Sequence, residues 1–180
     1  MSDARDPALE SRLRAIIRDI PDYPKPGIVF KDITPLLGSA AAFDEACHAM
    51  SSPFRSAGIT HVAAIESRGF LFGGAIARTL KAGAVPVRKK GKLPYMAERE
   101  EYALEYGTDA LEMHRDALAD GHRVLLVDDV LATGGTASAA CGMIERLGGR
   151  VVACSFLMVL SFLRGHEKLP GRRVEAVLTV

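Results

Sequence analysis

Short apolar runs alternate with segments of helical periodicity along most of the chain. The runs THVAAIE, AVPVR, HRVLLVDD, RVVACSFLMVL and RVEAVLTV consist mainly of apolar residues, as expected for strands buried on both faces. Between several of these runs, apolar residues recur every three or four positions over residues 39–54, 70–80 and 135–147, which is the spacing of helices. Ser39 is suited to cap the first of these helices. The alternation predicts an α/β fold in which a mostly parallel sheet is flanked by helices on both faces.

Two segments depart from this pattern. At the start, five apolar residues at helical spacing predict a helix that the prolines of PDYPKPG end; these residues are Leu9, Leu13, Ile16, Ile17 and Ile20. Further on, residues 97–102 are charged and are predicted to form a flexible loop, followed by short β-like runs around residues 104–106 and 110–113. We therefore interpret the chain as a single domain, residues 1–180, with hood or lid elements over about 20–36 and 90–114.

Composition narrows the function classes. A chain of 180 residues, 48% of them hydrophobic, suits one domain with a sizeable core. The net charge of +1 gives no indication of a nucleic-acid or membrane partner, and no apolar run is long enough to span a bilayer. The N-terminal segment lacks the features of a secretory signal, and the three widely spaced cysteines predict reduced thiols in a cytoplasmic protein.

The stretch RVLLVDDVLATGGTASAA joins a buried strand to a helix through two carboxylates and a turn of small residues. Helix N-termini present unpaired N–H groups, and glycines let a ligand approach the backbone closely, so the turn suits a phosphate monoester. Asp128 and Asp129 accept hydrogen bonds only, so they suit sugar hydroxyls or a metal ion. Alternatively, the aspartates are a solvated strand end and TGGT is an ordinary turn.

VLLVDDVLATGGT resembles the phosphoribosyl-pyrophosphate signature of the type I phosphoribosyltransferases. PGIVFKDITPLL, ESRGFLFG, VRKKGKLP and YALEYG resemble the adenine-specific members of that family, in the same order, over residues 20–169. The resemblance implies transfer of the 5-phosphoribosyl group from 5-phosphoribosyl 1-pyrophosphate (PRPP) to adenine, giving AMP and pyrophosphate. It also implies Mg²⁺ held mainly by the substrate, and a homodimer.

The resemblance assigns roles to residues of this chain. The phosphoribosyl group is expected at Asp128, Asp129, Ala132, Thr133, Gly134, Gly135 and Thr136. Pyrophosphate is expected at Ser67, Arg68, Lys89 and Lys92. Adenine is expected at Val29, Phe30, Lys31 and Leu160. Glu105 and Arg68 are expected to be catalytic, with Glu105 handling the purine proton, Tyr106 helping to close the site and residues 97–102 forming its lid.

Each assignment has a simpler alternative. Ser67 could merely cap a helix with Arg68 in solvent, the lysines could be a solvated face, and Glu105 could be an exposed strand residue. Residues 29–31 could pack the N-terminal helix onto the domain. Glu66 stands where the family usually has Asp, a change expected to alter only the surroundings of the site. Lys31 stands where Arg is frequent, which puts that contact in doubt.

Three other functions remain open at this point. The chain could transfer phosphoribosyl groups to another base such as hypoxanthine, xanthine or orotate, but YALEYG and VFKDI argue against this. It could be a ligand-sensing regulator, although such proteins usually carry a DNA-binding domain or a basic surface. It could also be an inactive relic of the fold, against which Glu105, Arg68 and the intact glycine turn count.

Overall fold

The computed structural model describes residues 6–103 and 108–180. The helices are α1 (Pro7–Ile16), α2 (Thr34–Leu37), α3 (Ala40–Ser51), α4 (Gly69–Leu80) and α5 (Gly135–Arg146). Short 3₁₀ turns occupy Ser52–Phe54, Ser161–Leu163 and Gly165–Lys168. The strands are β1 (Arg18–Pro21), β2 (Val29–Asp32), β3 (His61–Ile65), β4 (Gly83–Lys89), β5 (Ala97–Ala103), β6 (Thr108–His114), β7 (Arg123–Leu131), β8 (Arg150–Val159) and β9 (Val174–Thr179).

The main sheet has the order β5-β6-β4-β3-β7-β8-β9, which makes seven strands within the described residues. Strands β4, β3, β7, β8 and β9 are parallel, and β6 and β5 extend the sheet antiparallel beyond β4. Parallel strands place the loops that follow them at one edge of the sheet. The predicted α/β fold with a mostly parallel sheet is confirmed.

Helices α4 and α5 cover opposite faces of this sheet. A methyl group added to Gly73 of α4 would lie 2.3 Å from the side chain of Ala64, so the backbone of α4 packs tightly on β3. The neighbouring β3 residues Ala63 and Ile65 instead belong to the buried cluster that contains Ala140 and other side chains of α5. Since alternate strand residues point to opposite faces, the two helices sandwich the sheet.

The chain divides into two compact units, residues 1–49 and 50–180. The first unit contains α1, the two-stranded antiparallel sheet of β1 and β2, α2 and most of α3. The Ser39 side chain accepts a hydrogen bond from the backbone N–H of Ala42 at 3.4 Å, as predicted for a cap of α3. The second unit contains the seven-stranded sheet, α4 and α5.

Two predicted elements are wrong. Ile20 does not continue the first helix, because α1 ends at Ile16 and Ile20 pairs with Phe30 in the β1–β2 ladder. Residues 97–102 are not a loop but most of strand β5, which pairs with β6 along its length. The charged residues of β5 explain why the sequence predicts a loop here. Glu98 and Glu100 lie on one face of the strand and pair with Arg146 at 3.0 and 2.6 Å. These ion pairs stand where most strands show the apolar side chains that identify them from sequence.

No helix within the described parts of the chain is long and apolar enough to cross a membrane.

A histidine pair at the start of β3 should make stability depend on pH. The rings of His61 and His122 stack with centroids 4.0 Å apart, and burial followed by the charge of His122 lowers the pKa of His61 from its ordinary 6.5. The unfolded chain therefore binds the proton more readily, and the free energy of unfolding falls as pH drops below about 6.5. We expect His122→Gln to lose less thermal stability than the unmodified protein between about pH 7.5 and pH 5.5.

Differential scanning fluorimetry across that pH range measures the effect, with exposed His166→Gln as the control. If the melting temperatures of the unmodified protein and of His122→Gln fell equally with pH, the histidine pair would not couple protonation to folding.

Candidate functional site

Four loops that carry predicted site residues meet one edge of the sheet. Ser67 and Arg68 follow β3, residues 89–92 end β4, residues 132–135 follow β7, and Leu160 follows β8. Their strands lie side by side in the order β4-β3-β7-β8 and run parallel. The carboxyl ends of these strands therefore bring the predicted phosphoribosyl and pyrophosphate residues to one side of the sheet, where ligands of open α/β sheets bind.

The two aspartates lie within β7 rather than at its end. Pairing of β7 with β3 stops at Val127, whereas pairing with β8 continues to Leu131. The predicted strand end at the aspartates is thus right for the β3 side of β7, where pairing stops before Asp128. It is wrong for the β8 side, where pairing continues past both aspartates. Beyond Val127, where the pairing with β3 has ended, the start of α4 packs beside β7, with Asp128 partly exposed and Asp129 buried.

Asp129 forms an ion pair with Arg68. The Arg68 Nε atom lies 2.7 Å from Asp129 Oδ2, and Asp129 is only 6% exposed. The N–H does not point straight at this oxygen, so the contact is electrostatic more than a directed hydrogen bond. The alternative in which Ser67 caps a helix and Arg68 lies in solvent is wrong, because Arg68 itself is the cap residue of α4 and its guanidinium is paired.

Asp128 is half-buried and lies beside a second negative charge. Its Oδ1 atom accepts the backbone N–H of Asp129 at 2.9 Å. Burial, and then the charge of Asp129, raise the pKa of Asp128 well above its ordinary range. The start of α4 packs directly on this group, since a methyl group on Gly69 would lie 2.7 Å from Asp128 Oδ1. Keeping Asp128 ionised therefore costs stability in the free protein. A ligand rich in hydroxyl groups would donate hydrogen bonds to this carboxylate and offset that cost.

In the turn before α5, the backbone of residues 132–134 packs directly against the backbone of Gly165. Gly134 has φ of +80°, and a methyl group on it would lie 2.2 Å from the Gly165 carbonyl oxygen. A methyl group on Gly165 would in turn lie 2.1 Å from the Ala132 carbonyl oxygen. Gly134 precedes α5 without a capping side chain, so the N–H groups of the first helical turn remain available to an anion.

Tyr102 and Gly165 also belong to this region. The sequence placed Tyr102 in the predicted lid without its contact to Thr136, and it gave Gly165 no role. The Tyr102 hydroxyl donates to Asp109 at 3.3 Å and also hydrogen-bonds with the Thr136 side chain. Burial is the main cause that raises the pKa of Tyr102. The periodicity of charged strand β5 could have placed Tyr102 on the same face as Glu98 and Glu100, whereas no local signal marks Gly165.

The predicted pyrophosphate lysines, Lys89 and Lys92, lie on an exposed turn formed by residues 89–92, here called the lysine turn. Glu66 accepts hydrogen bonds from the start of this turn. Glu66 Oε2 accepts the backbone N–H of Lys89 at 2.9 Å and the Arg88 Nε–H at 3.2 Å. The Lys89 N–H is the main cause that lowers the pKa of Glu66, and Arg88 adds to it. The side chains of Lys89 and Lys92 are exposed. Glu66 therefore touches the lysine turn directly, which goes beyond the surrounding role expected for it.

The predicted adenine residues fall in both units. Val29, Phe30 and Lys31 are consecutive in β2 of the first unit, where Val29 is half exposed and the Phe30 ring meets Tyr23 edge to face at 5.4 Å. The Lys31 ammonium binds the Asp19 carboxylate at 2.8 Å. Leu160 lies in the second unit, where its N–H donates to the Leu131 carbonyl. The assignment of these residues to adenine stays a prediction.

Glu105 and Tyr106 lie outside the described residues, so their roles stay predictions. Among the residues that are described, no group of three or more histidine, cysteine, aspartate or glutamate side chains is arranged to hold a metal ion.

Comparison with known proteins gives the family. A sequence model described as a phosphoribosyl transferase domain matches residues 36–174. The adenine phosphoribosyltransferase of Myxococcus xanthus is 53% identical over 174 residues, which are 97% of this chain and 95% of the relative. The chain therefore belongs to the phosphoribosyltransferase family, and the resemblance to its adenine-specific members is confirmed.

Solved structures agree with this membership. The crystal structure of adenine phosphoribosyltransferase from Rhodothermus marinus matches with a TM-score of 0.93 at 52% identity, covering 97% of this chain and 100% of that one. The enzyme from Saccharomyces cerevisiae, solved with an imino-altritol bisphosphate and adenine, matches with a TM-score of 0.91 at 36% identity. That match covers 96% of this chain and 100% of the yeast chain.

Removing the Asp128 charge should stabilise the fold while weakening ligand binding. Because the pKa of folded Asp128 is raised above its unfolded value, its ionisation costs stability at every pH above the unfolded pKa. Asp128→Asn keeps an acceptor for the Asp129 N–H, so we expect the melting temperature at neutral pH to rise by about 2–4 °C for each kcal/mol recovered. We expect PRPP affinity to fall at the same time.

Thermal melting and calorimetry with PRPP measure the two effects, with exposed Asp116→Asn as the control. A lower melting temperature for Asp128→Asn would contradict the electrostatic account of this site.

Proposed function

We propose that this chain transfers the 5-phosphoribosyl group of PRPP to adenine, giving AMP and pyrophosphate. The observation that carries the proposal is the uncapped N-terminus of α5 behind a glycine turn, beside the Asp128–Asp129–Arg68 group. Relatives that are more than half identical carry the name of this activity. The yeast relative binds adenine together with a cyclic imino-sugar bisphosphate.

The 5-phosphate binds at the start of α5. Backbone N–H groups and the partial positive charge of the helix stabilise an anion there, and the Thr133 and Thr136 hydroxyls add donors. Thr136 already hydrogen-bonds with Tyr102, so the phosphate competes with that phenol for the Thr136 hydroxyl. The ribose hydroxyls then donate to Asp128, the more exposed of the two aspartates. Asp129 accepts from the ribose and keeps Arg68 in place.

The departing pyrophosphate lies near positively charged side chains. Arg68 lies at the start of α4, and the exposed Lys89 and Lys92 lie at the end of the neighbouring strand β4. Charge and forked donors stabilise the negative charge that grows on the departing diphosphate as the ribose gains oxocarbenium character. Positioning and electrostatics therefore supply most of the rate, and no side chain acts as a nucleophile.

Mg²⁺ fits this site as a partner of the substrate. A carboxylate at Asp128 and a diphosphate offer the oxygen ligands that Mg²⁺ prefers, and Mg²⁺ usually binds through one or two carboxylates plus phosphates and water. When bound, Mg²⁺ supplies neutralisation of the diphosphate charge. Asp128 is the residue of this chain that would face it.

Adenine must lose its N9 proton as the new bond forms. Glu105 accepts or relays this proton, because a carboxylate in a closed, dry site is a stronger base than in water. Tyr106 helps to close the site over the reacting atoms. For the base itself, the family resemblance assigns residues 29–31 and Leu160, and among them the Phe30 ring offers a stacking surface.

The remaining proposals concern assembly and compartment. We propose a homodimer in the cytoplasm, in keeping with the family resemblance and with three cysteines that are free and buried. In such a dimer a lysine of the 89–92 turn can belong to the site of either subunit.

Base specificity tests the function directly. Steady-state assays with PRPP, Mg²⁺ and each of adenine, hypoxanthine, guanine and orotate should give AMP from adenine with a kcat/KM at least about 10²-fold above the other bases. Preference for another base would overturn the adenine assignment. Tight binding of PRPP without turnover of any base would instead indicate a ligand-sensing regulator.

Glu105→Gln should lower kcat by on the order of 10²-fold with little change in the affinity for AMP, because a proton acceptor is lost while the shape is kept. Asp116→Asn, which also replaces an exposed carboxylate by an amide but lies outside the predicted lid, is the control and should leave kcat unchanged. Equal rates for the two variants would exclude Glu105 as the proton acceptor.

A further inference from the structure

The lysine turn depends on a second carboxylate, Glu112 of β6. Glu112 is 4% exposed, and its Oε2 atom accepts the backbone N–H of Gly91 at 2.8 Å. Next to this contact, the Lys90 N–H donates to the Ala110 carbonyl at 3.1 Å. Strand β6 therefore binds two successive amides in the middle of the turn that carries Lys89 and Lys92.

The other oxygen of Glu112 is occupied by Arg99 of β5. Arg99 Nε and Nη2 lie 2.9 and 2.5 Å from Glu112 Oε1. Burial on its own raises the pKa of Glu112, but hydrogen bonds from Arg99 and Gly91, together with the charges of Arg99 and Lys90, outweigh it and lower that pKa. A buried carboxylate without such partners would be strongly destabilising, so Glu112 is built to remain charged.

Two carboxylates thus hold the turn at alternate amides, those of Lys89 and Gly91. Glu66, next to Ser67 and Arg68, binds the Lys89 N–H, and Glu112 binds the Gly91 N–H. Gly91 has φ of +77°, a conformation that glycine adopts without steric cost, so the turn can present its N–H to Glu112. The exposed lysine side chains consequently extend from a backbone that is fixed before any ligand arrives.

We propose that Glu112 is a positioning residue for the pyrophosphate end of PRPP, and that Arg99 neutralises it so that the turn lysines remain available to the substrate. This inference rests on the proposed function and names a residue that acts through Lys89 and Lys92 without touching substrate. Flexible lysines bind a diphosphate more tightly when their backbone is ordered in advance, since less entropy is lost on binding. We expect adenine binding to be unaffected, because the Glu112 side chain hydrogen-bonds with Gly91 and Arg99, and neither is a predicted adenine residue.

The experiment compares the KM for PRPP with the KM for adenine. For Glu112→Gln we expect the KM for PRPP and the inhibition constant of pyrophosphate to rise about tenfold, with the KM for adenine changing less than about twofold. Glu145→Gln is the matched control, because Glu145 also forms a bidentate pair with an arginine, Arg172, but lies away from the turn. Amide hydrogen exchange should accelerate over residues 89–92 of Glu112→Gln and stay unchanged over residues 123–127.

A merely structural role would give a different result. Lower stability with a reduced kcat and unchanged KM values, or an equal rise in both KM values, would overturn the proposal. If Glu112→Gln does not fold, Arg99→Met decides instead, since it removes the partner of Glu112 and should raise the KM for PRPP selectively. An unchanged KM for PRPP in folded Arg99→Met would then overturn the proposal.

Lys89→Ala distinguishes failure of this inference from failure of the proposed function. Absence of AMP formation by the unmodified protein would refute the function itself. AMP formation with an unchanged KM for PRPP in Lys89→Ala would refute the assignment of the lysine turn and the inference with it. A raised KM in Lys89→Ala with none in Glu112→Gln would refute the inference alone.

Discussion

Close packing between the backbones of Gly134 and Gly165 holds the turn on which the proposed phosphate site depends. No side chain fits between them, because a methyl group on either residue would overlap a carbonyl oxygen of the other segment or of Ala132. The turn is therefore shaped by a distant 3₁₀ segment as well as by its own glycines. An anion-binding loop needs N–H groups aimed in advance, and this contact fixes their directions without occupying them.

Charge around this turn is arranged at a cost in stability. Asp128 and Asp129 are adjacent, and the guanidinium of Arg68 forms its direct ion pair with Asp129. Burial next to a like charge raises the pKa of Asp128, so the fold keeps an unfavourable carboxylate where a sugar needs an acceptor. The lysine turn shows the opposite arrangement. Its lysines are exposed, while the carboxylates Glu66 and Glu112 hold the backbone beneath them.

Local sequence predicted strands β3, β4, β7, β8 and β9, helices α1, α3, α4 and α5 and the glycine turn, because apolar periodicity and turn chemistry are properties of neighbouring residues. It failed where distant partners decide the structure. Strand β5 reads as a loop because it carries four charged residues in succession, two of which form ion pairs with Arg146. Gly165 lies about thirty residues from Gly134, and nothing near it in sequence marks the contact. Ile20 continues a helical pattern, yet pairing with Phe30 places it in a strand.

Calorimetric titration of AMP into the unmodified protein, Gly165→Ala and Gly74→Ala measures whether the Gly134–Gly165 contact shapes the phosphate site. Gly74 has open space around it on α4, so its substitution is the control. We expect Gly165→Ala, whose new methyl group displaces the Ala132 carbonyl, to bind AMP about tenfold or more weakly, and Gly74→Ala to bind AMP like the unmodified protein. Undiminished AMP affinity in a folded Gly165→Ala variant would contradict the claim that this backbone contact shapes the phosphate site.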